Sequence, residues 1–197
     1  MGALMTVAPE PTWPIPPEGG WTADDLDRLP NLPPHTELID GSLVFVSPQS
    51  LFHLYAIRLL EYALFGVVPS DMAVVREMTV TIGRRDRPEP DLAVVRRDSV
   101  GGARQTTFRP EDVVLAVEVV SPDSEQRDRE VKPRKYAGAG FPHYWRVENE
   151  QGELAVHVFE REDTTGTYVP MGIHRKQLAL DLPFPIEIDL TDPQRWL

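Results

Sequence analysis

The sequence predicts a single α/β domain in which helices flank a mixed β-sheet. Three observations lead to this prediction: helical and strand-like patterns alternate, 41% hydrophobic residues support a globular core, and 197 residues correspond to about one domain. Residues 1–20 contain five prolines and no hydrophobic periodicity. We therefore expect a flexible proline-rich leader, followed by the domain over residues 21–197.

The first half of the domain predicts a short helix, a hairpin and a longer helix. Thr22 provides an N-cap for the short helix, and Pro30 ends it. The segment HTELIDGSLVFVS alternates about Asp40-Gly41, a dipeptide that favours a two-residue hairpin turn. An apolar stripe at helical spacing then predicts an amphipathic helix ending near Gly66. The stripe consists of Leu54, Ile57, Leu60 and Leu64.

The second half predicts most of the sheet. Three Val-rich runs of strand length, AVVREMTVTI, DLAVV and VVLAVEVV, are expected to form its centre. The segment SPDSEQRDREVKPRKYAGAGFP predicts a helix, in which Pro133 either produces a kink or marks the start of the regular helix. YWRV and ELAVHVF return to strand, and short strands and turns follow residue 165.

The composition excludes several kinds of site. The chain contains no cysteine, so it has no disulfides or thiol nucleophiles. The lack of disulfides is compatible with a cytoplasmic location. The chemistry that remains either uses a metal bound by oxygen or nitrogen ligands or uses no metal. Glycine-rich phosphate-binding motifs are missing, so we expect no nucleotide cofactor. The longest uncharged stretch, residues 41–57, contains polar residues, so we expect no membrane-spanning segment.

The charge distribution singles out the middle of the chain. A net charge of −11 opposes binding to a polyanion, but residues 84–146 carry 13 basic and 11 acidic side chains. A local basic rim in this segment would still contact DNA phosphates. The candidates are Arg84, Arg85, Arg127 and Lys135.

Two carboxylates in the predicted strands suggest phosphoryl chemistry. Asp91 stands at the entrance of DLAVV, and Glu118 has hydrophobic neighbours on both sides in AVEVV. A buried carboxylate needs a cation, a metal or a proton. If adjacent strands bring both to one edge of the sheet, Mg²⁺ could bind there, and Lys132 would supply positive charge to a phosphodiester transition state.

Each residue also has a purely structural explanation. Glu118 could form an ion pair in the core, Asp91 could close a turn, and Lys132 could lie on a solvated helix face. A glycosidase built on a carboxylate pair is a further option, although no aromatic pattern marks a sugar cleft. Taken one at a time, the residues leave these alternatives open.

The arrangement of motifs is more specific. Pro90-Asp91 followed by Glu118 resembles the PD-(D/E)XK nuclease pattern, but the expected lysine two positions after the glutamate is replaced by Val120. TELIDG, PEPDLAVV, VEVVSP, RDREVK and KYAGAGFPHYW together resemble the Uma-type family of restriction endonuclease-like proteins, found widely in bacteria. The resemblance covers residues 21–147 and implies the restriction endonuclease-like fold.

This resemblance implies specific roles. Asp91 and Glu118 would bind Mg²⁺ or Mn²⁺, with the Val119 carbonyl as a third ligand. Lys132, displaced onto the following helix, would position water or stabilise the phosphorane, and Glu37 would act through a metal-bound water. Asp128 and Tyr136 would lie on the same helical face as Lys132 and support it. His53 would at most contact the phosphate.

Two functions follow from these expectations. The first is a metal-dependent endonuclease that hydrolyses DNA phosphodiester bonds, working as a homodimer with one site per strand. The second is a non-catalytic nucleic-acid-binding or regulatory protein that retains the nuclease fold. The acidic net charge, Val120 and Pro133 favour the second function.

Overall fold

The computed structural model describes residues 15–191, and residues 1–14 and 192–197 lie outside the described range. The predicted leader over residues 1–20 falls mostly outside it, so the leader and the single domain stay predictions. Between residues 15 and 191, no helix combines the length and the apolarity needed to cross a lipid bilayer.

Three α-helices and twelve β-strands make up the regular structure of the described range. The helices are α1 (Ala23–Leu26), α2 (Leu51–Val67) and α3 (Lys132–Ala139). The first six strands are β1 (Glu37–Ile39), β2 (Ser42–Val44), β3 (Met72–Arg76), β4 (Thr79–Val80), β5 (Leu92–Arg96) and β6 (Thr107–Phe108). The other six are β7 (Val113–Val119), β8 (His143–Glu150), β9 (Glu153–Glu162), β10 (Thr167–His174), β11 (Gln177–Leu180) and β12 (Ile186–Asp189).

The main sheet contains six strands in the order β10-β9-β8-β7-β5-β3. β7 and β8 are parallel, and the other neighbouring pairs are antiparallel, so the sheet is mixed as predicted. The parallel pair is joined by a crossover through α3, because parallel neighbours cannot be linked by a tight turn. β7 is covered on both faces, which accounts for its nearly continuous hydrophobic sequence.

Each face of this sheet packs against one helix. On one face, α2 inserts Ile57, Leu60 and Leu64 into a core cluster, and these residues belong to the predicted apolar stripe. On the other face, Tyr136 of α3 packs edge-on against Tyr144 of β8, with ring centroids 5.9 Å apart. The predicted architecture of a mixed sheet flanked by helices is confirmed.

The run AVVREMTVTI was expected to form one central strand, and this expectation is wrong. The run divides into β3, at the edge of the main sheet, and β4, which pairs with β6 in a separate small sheet. Glu77, between the two strands, has φ of 51°, in the left-handed region that a continuous strand does not allow. The chain therefore turns at this residue.

The predicted hairpin forms around Asp40-Gly41. Ile39 pairs with Ser42, and the two turn residues have φ of 51° and 79°, as a type I′ turn requires. The φ of Gly41 lies where glycine is favoured, and a Cβ there would lie 2.6 Å from the Arg85 Nε atom, so a larger residue would also displace the Arg85 side chain. The hairpin thereby holds β1 against the chain that leads into β5.

The predicted helix around Pro133 begins with a wide turn. Residues Arg127–Val131 form a π-helical turn, in which the Lys132 N–H donates to the Arg127 carbonyl. The regular helix α3 starts at Lys132, so Pro133 lies in its first turn, where a missing N–H is tolerated. The Asp128 carbonyl, five residues before Pro133, accepts a hydrogen bond from the buried Tyr144 hydroxyl at 2.7 Å. Tyr144 thus replaces the donor that Pro133 lacks.

We expect Tyr144→Phe to lower the free energy of unfolding by about 1–3 kcal/mol, because the buried Asp128 carbonyl would lose its donor. Urea unfolding followed by circular dichroism would measure this change. Tyr55→Phe is the matched control, since the half-buried Tyr55 hydroxyl has no hydrogen bond to residues 15–191. Equal losses in the two variants would contradict the role assigned to Tyr144.

Candidate active site

The two predicted strand carboxylates meet at one edge of the sheet. Leu92 at the start of β5 pairs with Val117 of the antiparallel β7. Asp91 immediately precedes β5, and Glu118 immediately follows Val117, so the register brings these two residues side by side. This edge also receives the start of α2 on one face and the start of α3 on the other.

Lys132 is the centre of a buried polar cluster. Its ammonium group lies 2.9 Å from Glu37 Oε1, 2.9 Å from Glu118 Oε2 and 3.6 Å from Asp128 Oδ1. The Tyr136 hydroxyl donates to the other Glu118 oxygen at 2.5 Å. All five side chains are buried. The structure therefore brings together Lys132 and four of the residues predicted to act with it or to position it.

Asp91 belongs to the same edge but has different partners. Its Oδ2 atom accepts a hydrogen bond from the Val119 backbone N–H at 2.6 Å, and its Oδ1 atom lies 3.1 Å from His53 Nε2. His53 projects from the buried face of α2. Asp91 thus connects the α2 layer to β7, while the assignment of the Val119 carbonyl as a metal ligand stays a prediction.

The hairpin contributes Glu37 from a distant part of the sequence. Its Oε1 atom accepts the Glu89 backbone N–H at 2.8 Å as well as contacting Lys132. Glu89 in turn lies 2.5 Å from His35 Nδ1 through its own carboxylate. This hydrogen bond raises the pKa of His35, and burial raises the pKa of Glu89.

These groups line a narrow cleft of about 40 Å³, enough for a few water-sized groups. Arg127 lies at its wall, and the buried Arg127 Nε atom has no hydrogen-bond partner within the described residues. Several lining residues were missed by sequence analysis: His35, Gln49, Glu77, Glu89, Ser121 and Ser124. The only available signal was that Glu89 stands two positions before Asp91 in RPEPD, which places both on one side of an extended segment.

The cluster contains more acid than base. Burial raises the pKa of Glu118 well above its ordinary value, and it also raises the pKa of Asp128, although Lys132 opposes both shifts. Burial acts on Lys132 in the opposite direction, but Glu118, Glu37 and Asp128 together hold the pKa of its ammonium group well above the ordinary value. Lys132 therefore stays charged, but its single ammonium group does not offset the cost of burying the Glu118 and Asp128 carboxylates in their charged forms.

Two of the predicted DNA-contacting residues, Lys135 and Arg85, contact the hairpin, and Arg127 lies at the wall of the cleft. Lys135 lies 2.7 Å from both Asp40 Oδ1 and Asp86 Oδ1, and the contact with Asp40 connects α3 to the hairpin. Arg85 donates to the Asp40 carbonyl at 2.5 Å, and Arg84 is exposed beside it. Their role in DNA binding stays a prediction.

The mixed six-stranded sheet with a helix on each face is the restriction endonuclease-like fold. A crystal structure described as "a putative nuclease belonging to DUF820" from Anabaena variabilis superposes with a TM-score of 0.68, at 16% identity over 89% of this chain and 98% of that one. At this identity, the similarity shows the fold alone.

The particular family follows from the sequence. The model of the Uma2 family, described as "Putative restriction endonuclease", matches residues 23–192, and the chain belongs to this family. NucC from E. coli MS115-1 in the apo form matches at 11% identity over 62% of this chain and 84% of its own, with a TM-score of 0.32. The cAAA-bound NucC of P. aeruginosa matches at 10% identity over 64% and 85%, with the same TM-score. No curated protein matches the chain.

We expect Asp128→Asn to increase the free energy of unfolding near pH 7. The raised pKa of Asp128 means that folding disfavours its charged form. The contribution of Asp128 to stability is therefore complete below its unfolded pKa, near 3.8, and is lost as pH rises through the folded value. Chemical unfolding over a pH series should show a gain for Asp128→Asn that vanishes at the acidic end.

Asp123→Asn, at an exposed position in the preceding loop, is the matched control and should show no such pH-dependent gain. A destabilised Asp128→Asn protein at pH 7 would instead show that the attraction between Asp128 and Lys132 outweighs the cost of burying the carboxylate.

Proposed function

We propose that this protein is a metal-dependent endonuclease that hydrolyses DNA phosphodiester bonds, and that it acts in the bacterial cytoplasm. The observation that carries the proposal is the buried Lys132 ammonium group, held by Glu37 and Glu118 in a cleft next to Asp91. Membership of the Uma2 family supports a nucleic-acid substrate.

The residues of the cleft fit a divalent cation by their chemistry. Mg²⁺ and Mn²⁺ prefer carboxylate, carbonyl and water oxygens, and the cleft supplies carboxylates in excess of its cations. The Asp128 Oδ1 atom is buried without a hydrogen-bond partner among the described residues. Asp91 and Glu118 would hold the metal, together with the Val119 carbonyl. A bound cation would polarise the phosphodiester and acidify an attacking water.

The protein's own groups have separate tasks in this proposal. Lys132 offsets the negative charge that develops on the phosphate oxygens when water attacks phosphorus and the bond to the leaving oxygen breaks. Tyr136 and Asp128 hold Lys132 and Glu118 in position, and Glu37 orients water. Arg127 and His53, at the wall of the cleft, contact the phosphate.

The direct test is cleavage of supercoiled plasmid and single-stranded DNA with Mg²⁺ or Mn²⁺. We expect Asp91→Ala and Lys132→Ala to lower the rate by about a hundredfold or more, the usual cost of removing a group that stabilises a transition state. Arg134→Ala is the control, because Arg134 lies exposed on α3 and outside the cleft.

Circular dichroism must show that each variant is folded, since removal of Lys132 leaves buried carboxylates unpaired. If Lys132→Ala does not fold, the cleavage rate of Asp91→Ala alone tests whether this site is the source of activity. Native-like cleavage by a folded Asp91→Ala protein would exclude this site as the source of activity.

One observation favours the second candidate, a nucleic-acid-binding or regulatory protein without turnover. Both oxygens of Glu118 and both oxygens of Asp91 already contact protein groups. Among residues 15–191, no three histidine or acidic side chains are arranged to share one cation. This candidate requires that the protein partners keep these oxygens when divalent ions are added.

Isothermal titration calorimetry with Mg²⁺ and Mn²⁺ separates the two functions. The endonuclease proposal predicts a binding isotherm for the native protein that Glu118→Gln abolishes, because the amide provides one neutral oxygen in place of a carboxylate. Absence of binding heat at millimolar metal, together with retained DNA binding, would favour the protein without turnover. Glu130→Gln, on an exposed position of the π-helical turn, serves as the control.

A further inference from the structure

His35 and Glu89 form a histidine–carboxylate pair at the exposed rim of the cleft. The His35 Nδ1 atom lies 2.5 Å from Glu89 Oε1, and the Nε2 atom has no hydrogen-bond partner within residues 15–191. The Glu89 side chain is 12% exposed, whereas the His35 side chain is 47% exposed. The carboxylate therefore holds one side of the ring, and the other ring nitrogen is accessible to a ligand.

The backbone ties this pair to the buried polar cluster. The Glu89 N–H donates to Glu37 Oε1 at 2.8 Å, and the same oxygen lies 2.9 Å from the Lys132 ammonium group. His35 has φ of 59°, in the left-handed region that residues other than glycine seldom adopt. Strained conformations of this kind cluster at active sites. The ring is thus held beside the groups already assigned to phosphodiester chemistry.

We propose that His35 is the general acid that protonates the leaving oxygen during DNA cleavage, and that Glu89 positions its ring. The role of His35 rests on the proposed endonuclease function, in which no group has been assigned to this proton. Water attacks phosphorus, and the bond from phosphorus to the leaving oxygen breaks. The His35 Nε2–H gives its proton to that oxygen, the proton of the attacking water passes to solvent, and solvent then restores the ring proton.

The charges that face His35 favour its protonated form. The hydrogen bond to Glu89 raises the pKa of the ring, although partial burial opposes the shift. The carboxylates of Glu77 and Asp91, which precede β4 and β5, act in the same direction as Glu89. The ring therefore carries its proton over a wider pH range than an isolated histidine does, which suits a proton donor.

The other basic side chains that line the cleft are less suited to this task. Lys132 is buried, and its carboxylate neighbours hold the pKa of its ammonium group well above the ordinary value, so it retains its proton. Arg127 carries a guanidinium group, which is not deprotonated in proteins. His53 is buried, and its Nε2 atom lies 3.1 Å from Asp91 Oδ1. Of these side chains, in the described part of the chain, His35 combines histidine acidity with an accessible nitrogen.

Two DNA oligonucleotides that differ at the leaving atom test this role. One has the ordinary linkage, and the other has sulfur in place of the leaving oxygen, which the product ends identify. A thiolate leaves without a proton, whereas an alkoxide needs one. With Mg²⁺, we expect His35→Asn to slow cleavage of the ordinary linkage by about a hundredfold and to leave the sulfur linkage within about twofold of the native rate. Asparagine tolerates the left-handed backbone of this position.

His174→Asn is the matched control, because His174 lies on β10 and outside the cleft. Equal slowing of both linkages by His35→Asn would show that His35 only maintains the cleft, and unchanged cleavage of the ordinary linkage would exclude it from the reaction. Either result overturns the role of His35 while the native protein still cleaves DNA. If the native protein cleaves neither linkage, the endonuclease function fails together with this role.

Nuclear magnetic resonance titration of the His35 ring tests the role of Glu89 without any DNA. We expect Glu89→Gln to lower the pKa of His35, because a neutral amide stabilises the imidazolium less than a carboxylate does. Glu111→Gln, at an exposed position outside the cleft, is the control and should leave this pKa unchanged. Equal His35 pKa values in Glu89→Gln and the native protein would contradict the positioning role.

Discussion

The burial of the Lys132 ammonium group is the constraint on which the site depends. Removing an ion from water costs several kcal/mol after relaxation, so a buried lysine requires anionic partners in good geometry. Glu37 and Glu118 provide them at 2.9 Å each. Because these two residues belong to the hairpin and to β7, while Lys132 begins α3, one cation ties together three segments that are distant in the sequence.

The entry into α3 determines where this cation is placed. A π-helical turn precedes Lys132, and Pro133 follows it in the first turn of the regular helix. Pro133 has no N–H to donate to the Asp128 carbonyl. The Tyr144 hydroxyl donates a hydrogen bond to this carbonyl instead. Wide turns of this kind frequently occur at functional sites. Here the turn carries Asp128 and leads directly into the lysine, so the unusual backbone lies within the polar cluster itself.

The site also joins the two layers that cover the sheet. Asp91 contacts His53 of α2 and the Val119 backbone, while Glu118 contacts Lys132 and Tyr136 of α3. The adjacent carboxylates therefore face different helices, although they lie side by side at the sheet edge. Both helices must pack in their observed positions for the cleft to exist, which couples the integrity of the core to the geometry of the site.

Local patterns in the sequence predicted the hairpin and α2 correctly, because a turn dipeptide and a helical period depend on neighbouring residues. The same patterns identified Asp91 and Glu118 as carboxylates at strand ends and Lys132 as a basic group on the following helix. They could not reveal the left-handed Glu77 that divides the AVVREMTVTI run, nor the edge position of β3, since both depend on pairing between distant segments. The contact of Glu37 with Lys132, across 95 positions, and the link from Glu89 to His35 likewise required the folded chain. Residue type and spacing specify which groups are available for chemistry. The packing of distant elements determines which of these groups meet, and therefore which carboxylates surround the buried Lys132 ammonium group.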